Sequence, residues 1–273
     1  MDAFLLFFEE MPVWMKAGWI AFCLSLFWML EGYYRLIAFR YKKWKHAATN
    51  LTLLFFVMII NAVFGIATAG VFIWLETSNF GLLHLIEAPV WVELILAVLV
   101  LDLIAQYFVH FCLHQVQWMW RLHIVHHTDR HVDATTGTRH HPLDFLIREI
   151  FALVAVIIMG MPVGFYFFYR ILSVLFTYWT HANIALPKGL DRLLSFVIVT
   201  PNMHKFHHHF EVPWTDSNYG NMLSVWDRVF GTFVYGDTKE IQYGLDIADH
   251  VSDESLGVQL GIPFNKTVRK KKV

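Results

Sequence analysis

The chain has 273 residues, of which 57% are hydrophobic and only 16% are charged, and its mean hydropathy is +0.48. A water-soluble domain needs more charge than this on its surface, so the composition indicates a membrane protein. The formal net charge of −1 and the pI of about 7.0 provide no basic field for nucleic acid, and we exclude a nucleic-acid-binding function. Cys23 and Cys112 lie inside apolar runs without a Cys-x-x-Cys pair, which excludes a disulfide framework and a zinc knuckle.

The first three apolar stretches are residues 13–37, 51–75 and 90–112. Each is long enough to cross ~30 Å of hydrocarbon as a helix. Acidic residues precede the first stretch where a secretory signal would carry basic ones, so we expect a retained anchor and no cleaved signal peptide. These acidic residues are Asp2, Glu9 and Glu10.

The fourth apolar stretch, residues 145–179, is divided by the sequence GMPVG at residues 160–164. Its two halves would be roughly 24 and 27 Å long as helices, slightly less than the hydrocarbon thickness. These lengths predict a helical hairpin, which either crosses the membrane or dips into it. The fold class expected from all four stretches is an all-α membrane bundle of about three spans plus a hairpin, with a cytoplasmic helical cap.

Basic residues predict the orientation of the bundle. The loop after the first span carries several, whereas the loop after the second carries Glu76 and Glu87 and no Lys or Arg, so the first loop is expected to be cytoplasmic. Following the chain from there brings every histidine cluster to the cytoplasmic face. The basic residues are Arg40, Lys42, Lys43 and Lys45.

Three histidine motifs have the spacing of metal ligands on helices. HIVHH and MHKFHHH place histidines at positions i, i+3 and i+4, and these should present three imidazoles from each helix to one point. His110 and His114 add an i, i+4 pair, whereas Cys112 between them and His209 after the last triplet should point away. The candidate ligands from spacing are His110, His114, His123, His126, His127, His204, His207 and His208.

Eight convergent imidazoles exceed the needs of a single ion, since zinc takes four ligands, and this indicates two metal ions. Imidazole binds iron, zinc, copper and nickel, so spacing does not select the metal. His141 and His181 are intermediate candidates. Other histidines are expected to be hydrogen-bonded in the bundle or placed at an interface: His46, His84, His131, His209 and His250.

Asp102 begins a four-residue repeat with Gln106, His110 and His114 along an apolar span. We expect its carboxylate to accept an imidazole N–H and thereby to fix a ligand from the second coordination shell. The alternative is that Asp102 pairs with a polar group in another span.

Two other functional classes stay open on the residues alone. A histidine-rich membrane metal transporter or metal-binding protein would also carry these side chains, although its ligands should lie near the bilayer midplane on broken helices. A haem-binding electron carrier needs only a few axial ligands and would leave most of the histidines without a role.

With these motifs, the chain resembles the fatty acid hydroxylase and sterol desaturase superfamily of membrane di-iron oxygenases. The resemblance covers residues 101–233 and is carried by LDLIAQYFVHFCLH, WRLHIVHH, TRHHPLD, THANIALPKGLDRLLSFVIVTPNMHKFHHH and NYGNMLSVWDRVFGTF. Gln106 and Phe111 depart from the family pattern, which has Tyr and Arg at these places. That departure bears on the expected access of substrate to the site and not on the expected metal ligands.

The resemblance implies a non-haem di-iron oxidoreductase that uses O₂ and two electrons to hydroxylate or desaturate a lipid, such as a sterol or a fatty acyl chain. It implies the eight ligands above, and adds His141 and His181. It also implies an external electron donor of the cytochrome b5, ferredoxin or reductase type, and zinc can replace iron in purified protein.

The predicted organisation has membrane spans in residues 1–89, the histidine-box hydroxylase/desaturase domain in residues 90–250 and a basic tail in residues 251–273. The terminal RKKKV fits either a di-lysine retrieval signal or a positive-inside anchor. The expected location is the endoplasmic reticulum of a eukaryote or the inner membrane of a bacterium.

Overall fold

A computed structural model describes residues 2–211, 214–236, 238, 241–265 and 268. This part of the chain is helical, with short 3₁₀ turns, two isolated β-bridges and no β-strand. The α-helices are α1 (Asp2–Glu9), α2 (Val13–Tyr33), α3 (Lys43–Ser78), α4 (Val90–Asp102), α5 (Val109–Gln115), α6 (Gln117–His127), α7 (Pro142–Met159), α8 (Val163–His181), α9 (Lys188–Leu194), α10 (Pro201–His207), α11 (Val225–Val229) and α12 (Leu256–Gly261). The RKKKV tail lies outside the described residues.

Three helical segments are long and apolar enough to cross a membrane: Val13–Tyr33, Lys43–Leu85 and Val90–Gln115. The first three predicted spans are therefore confirmed. The second begins eight residues earlier than its apolar stretch, since α3 starts at Lys43 and not at residue 51. Its polar first turns are stable there because His46 and Asn50 are fully buried against the rest of the bundle.

The fourth apolar stretch forms the expected hairpin, with α7 and α8 joined at Gly160. This glycine has φ +64, and a Cβ on it would lie 2.0 Å from the carbonyl oxygen of Phe80. Only glycine fits such a left-handed position with so close a backbone contact. Because Phe80 follows the far end of α3, the hairpin extends as deep as that span.

The third span contains an irregularity that its uniform apolar composition does not indicate. A π-helical turn, Leu103–Phe108, separates α4 from α5. Its wider turn breaks the four-residue repeat between Asp102 and His110. Asp102 consequently does not share a stripe with the histidines that follow it.

The motif MHKFHHH begins on a short helix, α10, which has a well-defined start. The hydroxyl of Thr200 accepts from the N–H of Met203 at 3.2 Å, and Pro201 occupies the first helical position. The helix ends at His207, so His208 is its C-terminal cap. Helix α10 packs against α8, where His181 is the last residue.

Candidate metal centre

Nine buried histidines form two groups at the end of the bundle where α5, α6, α8 and α10 meet. Within each group, one ring nitrogen from every histidine lies within 4.8 Å of the others. All nine are at most 5% exposed. The first group is His110, His114, His123, His127 and His207, and the second group is His126, His181, His204 and His208.

Each His-x-x-His-His box is divided between the two groups, so the expectation that a box presents all its imidazoles to one point is wrong. His123 and His127 belong to the first group and His126 to the second. In the other box, His207 belongs to the first group, whereas His204 and His208 belong to the second. The reason is rotational: along a helix, i+3 lies about 60° to one side of i and i+4 about 40° to the other.

Four of these rings contact a backbone carbonyl oxygen through Nδ1. The distances are 2.8 Å from His110 to Tyr219, 3.2 Å from His126 to Arg139, and 2.7 Å from His181 to Thr177. Because a carbonyl oxygen only accepts, Nδ1 must donate its proton, and Nε2 then keeps a lone pair. His207 is held in the same way by the carbonyl of Ser217, at 2.6 Å.

Two further rings are oriented by carboxylates. Asp144 accepts from Nδ1 of His123 at 3.0 Å, and Asp216 lies 3.1 Å from Nδ1 of His114. A carboxylate on the far nitrogen fixes the ring angle and raises the basicity of the nitrogen that faces a metal.

The lone pairs of neighbouring rings face one another. Nε2 of His110 lies 3.1 Å from Nε2 of His123 in the first group, and Nε2 of His126 lies 3.1 Å from Nε2 of His181 in the second. In all four rings the proton is on Nδ1 and is donated to a carbonyl or carboxylate oxygen. The two facing Nε2 atoms therefore both present lone pairs, and they repel each other unless a cation lies between them. Two nitrogens bound to one ion at ~2.1 Å and at right angles would be separated by about this distance.

Two rings in the centre have no hydrogen bond to any residue that the structure describes. Within the described residues, neither nitrogen of His127 nor of His208 has a hydrogen-bond partner, and both side chains are buried. Buried polar atoms without partners are costly, and a bound ion would satisfy these nitrogens. The donor set therefore fits two metal ions, one for each group.

Burial keeps these imidazoles in the neutral form that metal binding requires. Desolvation lowers the pKa of His123 to about 3, even though Asp144 acts in the opposite direction. Burial first, and then the neighbouring histidines, lowers the pKa of the other boxed rings well below the ordinary value. These are His126, His127, His204, His207 and His208.

His141 lies outside both groups, although the resemblance implied it as a ligand. Its Nδ1 accepts from the N–H of Leu143 at 3.2 Å and caps the start of α7. The preceding residue, His140, faces the centre and stacks on His126 with ring centroids 4.7 Å apart. His209 also lies outside both groups, and its Nδ1 accepts from the N–H of Glu211.

Asp102 does not contact an imidazole among the described residues. Its Oδ2 accepts from the backbone N–H of Leu223 at 3.1 Å and from the indole of Trp226 at 3.0 Å. The expected contact with a histidine is thus wrong. The alternative of a polar group in another span is wrong as well, because Leu223 and Trp226 lie outside the three spans. The π-helical turn after Asp102 accounts for the difference.

Several supporting residues were missed by the sequence reasoning. His140, Asp144 and Asp216 were not selected, although the i, i+4 spacing of His140 and Asp144 in TRHHPLD was a readable signal. Asp227 was also missed: its carboxylate accepts from the N–H groups of Tyr219 and Gly220 at 2.7 and 3.0 Å. It thereby holds the loop whose carbonyl orients His110.

His46 is buried and its Nε2 lies 2.8 Å from Asp129, as expected for a histidine with a structural role. Burial raises and this neighbouring imidazole lowers the pKa of Asp129, and the net result is well below the ordinary range. Cys112 packs among apolar side chains of α5 and α7 and is a free cysteine, so it points away from the histidines as predicted.

Comparison with known proteins gives the family. The sequence profile of the fatty acid hydroxylase family matches residues 94–232, about half of the chain. The chain belongs to this family. All nine histidines of the centre lie on the matched segment, as do the loop of Tyr219 and the carboxylate of Asp227.

Individual members of the family are similar to this chain at a moderate level. An ornithine lipid hydroxylase of Rhizobium tropici is 27% identical over 165 residues, which are 60% of this chain and 48% of the relative. An alkylglycerol monooxygenase of Homo sapiens is 28% identical over 139 residues, 51% of this chain and 30% of the relative. A cholesterol 25-hydroxylase-like protein of Danio rerio is 30% identical over 156 residues, 55% of this chain and 60% of the relative.

The matched part of the chain thus spans about half the length of the bacterial relative and less than a third of the human one. No solved structure matches the chain.

Proposed function

We propose that the protein is a membrane-bound oxidoreductase that uses O₂ and two electrons to hydroxylate or desaturate a lipid, with a pair of iron ions in the two histidine groups. The observation that carries this proposal is the division of nine buried histidines into two groups with facing Nε2 lone pairs. The three relatives described above are named as hydroxylases or monooxygenases, or as similar to one, and these names support a lipid substrate.

The proposed reaction balances with an external donor. In hydroxylation, a C–H bond, O₂, two electrons and two protons give an alcohol and one water. In desaturation, two adjacent C–H bonds, O₂, two electrons and two protons give an alkene and two waters. The bound iron pair would supply the reduction of O₂ to an oxidant able to break an unactivated C–H bond.

The protein's own residues hold and orient this pair. The carbonyls of Tyr219, Arg139, Thr177 and Ser217 fix four rings through Nδ1, and Asp144 fixes a fifth. Burial excludes water from the centre, which limits the loss of a reactive oxidant to side reactions.

We further propose that the centre faces the cytoplasm and takes electrons from a separate protein of the cytochrome b5, ferredoxin or reductase type. The Lys and Arg residues of the loop after α2 support this orientation. A metal transporter is the rival function.

Metal analysis and product analysis test the proposal together. Protein purified from iron-rich medium should contain two ions per chain. Only with reduced donor present should lipid extracts show either an alcohol labelled from isotopic O₂ or an unlabelled alkene that has lost two hydrogens. A chain holding two ions that exchange freely with the medium, with neither lipid product under any reducing condition, would favour transport instead.

A further inference from the structure

A cavity with about 160 Å³ of free volume lies between α2, α3, the π-helical turn, α7 and α8. Its inner end adjoins the second histidine group: His140, in its wall, stacks on His126, and a Cβ on Gly137 would lie 3.4 Å from Nδ1 of His181. Met58, 45% exposed, also lines it, so the cavity reaches the membrane-facing surface. Pockets for whole small molecules are ~300–1,000 Å³, so this cavity holds only part of a lipid.

The wall of this cavity is more polar than a hydrocarbon chain requires. The amide of Gln106 donates to the hydroxyl of Ser173 at 2.9 Å. The hydroxyl of Tyr169 is in the wall as well; this side chain is 2% exposed, and its hydroxyl lies beside the polar groups of Gln106 and Ser173 without a hydrogen bond of ordinary geometry to them or to any other described residue. A buried hydroxyl without a well-aligned partner is unfavourable, and a ligand with a hydrogen-bonding group would satisfy it.

The charged residues of the cavity are already neutralised. Arg170 lies 2.6 Å from Glu149, and Arg148 lies 3.1 Å from Asp144. A ligand with a net charge would therefore enter a buried site without a free counter-charge, which is costly. A neutral polar group can use Tyr169, Gln106 and Ser173 without that penalty.

We propose that this cavity is a subsite for a neutral hydrogen-bonding group of the lipid substrate, such as a hydroxyl, an ester or an amide, with Tyr169 and Gln106 as its main contacts. This inference rests on the proposed function and deepens it by naming the substrate class. Tyr169 and His181 lie on the same helix, roughly 18 Å apart along its axis. The oxidised carbon is accordingly many bonds away from the recognised group.

The test is equilibrium binding to the metal-loaded protein in lipid nanodiscs, with no turnover. The probes share one chain length and differ in the end group: hexadecane, hexadecanol, methyl palmitate, palmitate and hexadecylamine. Affinities are corrected for partition into empty nanodiscs. Hexadecanol and methyl palmitate should bind at least about tenfold more tightly than the other three, as expected for one or two hydrogen bonds in a buried site.

The variant Tyr169→Phe removes only the hydroxyl and should lower the affinity for hexadecanol about tenfold while leaving that for hexadecane unchanged. Tyr166→Phe is the matched control on the same helix, because the Tyr166 hydroxyl lies 3.4 Å from Glu149 and does not line the cavity. The control should bind every probe like the parent protein.

Equal binding of hexadecane and hexadecanol, or tighter binding of palmitate or hexadecylamine, would overturn the subsite. An unchanged hexadecanol affinity in Tyr169→Phe would overturn the role of that residue. Since binding is measured without catalysis, the subsite and the proposed function fail separately. A hydroxylated or desaturated product without end-group discrimination overturns only the subsite. Discrimination without either product overturns only the proposed oxidoreductase.

Discussion

At the residue scale, adjacent histidines in one motif have different surroundings. His208 is fully buried in the second group, and His209 lies outside both groups with its Nδ1 bonded to the N–H of Glu211. Spacing along α10 predicted that His209 would leave the shared stripe. A ligand and a neighbour can therefore be told apart with one pair of variants.

We expect His208→Ala to lower the metal content from two ions per chain toward one, because the second group then retains three imidazoles of four. Losing a ligand should weaken binding by more than the 10–100-fold that loss of an outer partner costs. His209→Ala is the matched control and should keep both ions. Metal analysis after dialysis measures the outcome; an ion lost from His209→Ala but kept by His208→Ala would contradict the assignment of this box.

At the element scale, the hairpin of α7 and α8 depends on one glycine. Gly160→Ala should destabilise the protein by more than ~1 kcal/mol, because alanine is strained at positive φ and its Cβ would collide with the carbonyl of Phe80. Thermal unfolding in detergent measures this effect. The control is Gly70→Ala in α3, where a Cβ meets nothing within 4 Å. Equal melting temperatures for the two variants would show that the turn tolerates a side chain.

At the scale of the whole molecule, the basic loop and the metal centre lie at the same end of the bundle. His46, one turn into α3, contacts Asp129, and Asp129 follows the motif HIVHH by two residues. The orientation of that loop therefore sets the compartment of the centre, whichever side of the membrane it faces.

Cysteine labelling tests this orientation in a background lacking Cys23 and Cys112. Lys42→Cys and Glu76→Cys place thiols at exposed positions near opposite ends of α3. We expect an impermeant reagent added outside the cell to label Glu76→Cys only, since Lys and Arg concentrate on the cytoplasmic side. Labelling of Lys42→Cys from outside would move the centre to the other compartment and require a different electron donor.

The stability of the metal-free protein should fall in acid. The folded state keeps the boxed histidines neutral, with the pKa of His123 lowered to about 3 by burial, whereas the unfolded chain takes up protons below about 6.5. Each such group lowers the free energy of unfolding by up to about 1.4 kcal/mol per pH unit between these values. Asp227, whose pKa burial raises to about 6, acts in the opposite direction, but buried carboxyl groups of this kind are fewer than the six boxed histidines.

Thermal unfolding of the metal-free protein at about pH 7 and about pH 5 measures this effect, and ordinary carboxylates stay ionised over that range. We expect the lower melting temperature at the lower pH. Equal melting temperatures, or a higher one in acid, would mean that the imidazoles are protonated in the folded state. That result would be incompatible with a closely packed pair of ligand groups.

The sequence by itself determined the local features of this protein. Hydrophobic length predicted three spans and a hairpin, and the i, i+3 and i+4 spacing selected eight of the nine clustered histidines, because both patterns depend only on neighbouring residues in one helix. His181 came in only through the resemblance, since it stands alone in its helix.

Tertiary structure decided what depends on helices meeting from distant parts of the chain: the division of each box between two groups, the support of His123 by Asp144, and the π-helical turn that directs Asp102 to Trp226. Spacing fixes the side of a helix on which a ligand lies, but the packing of the facing helix fixes the ion that it can reach.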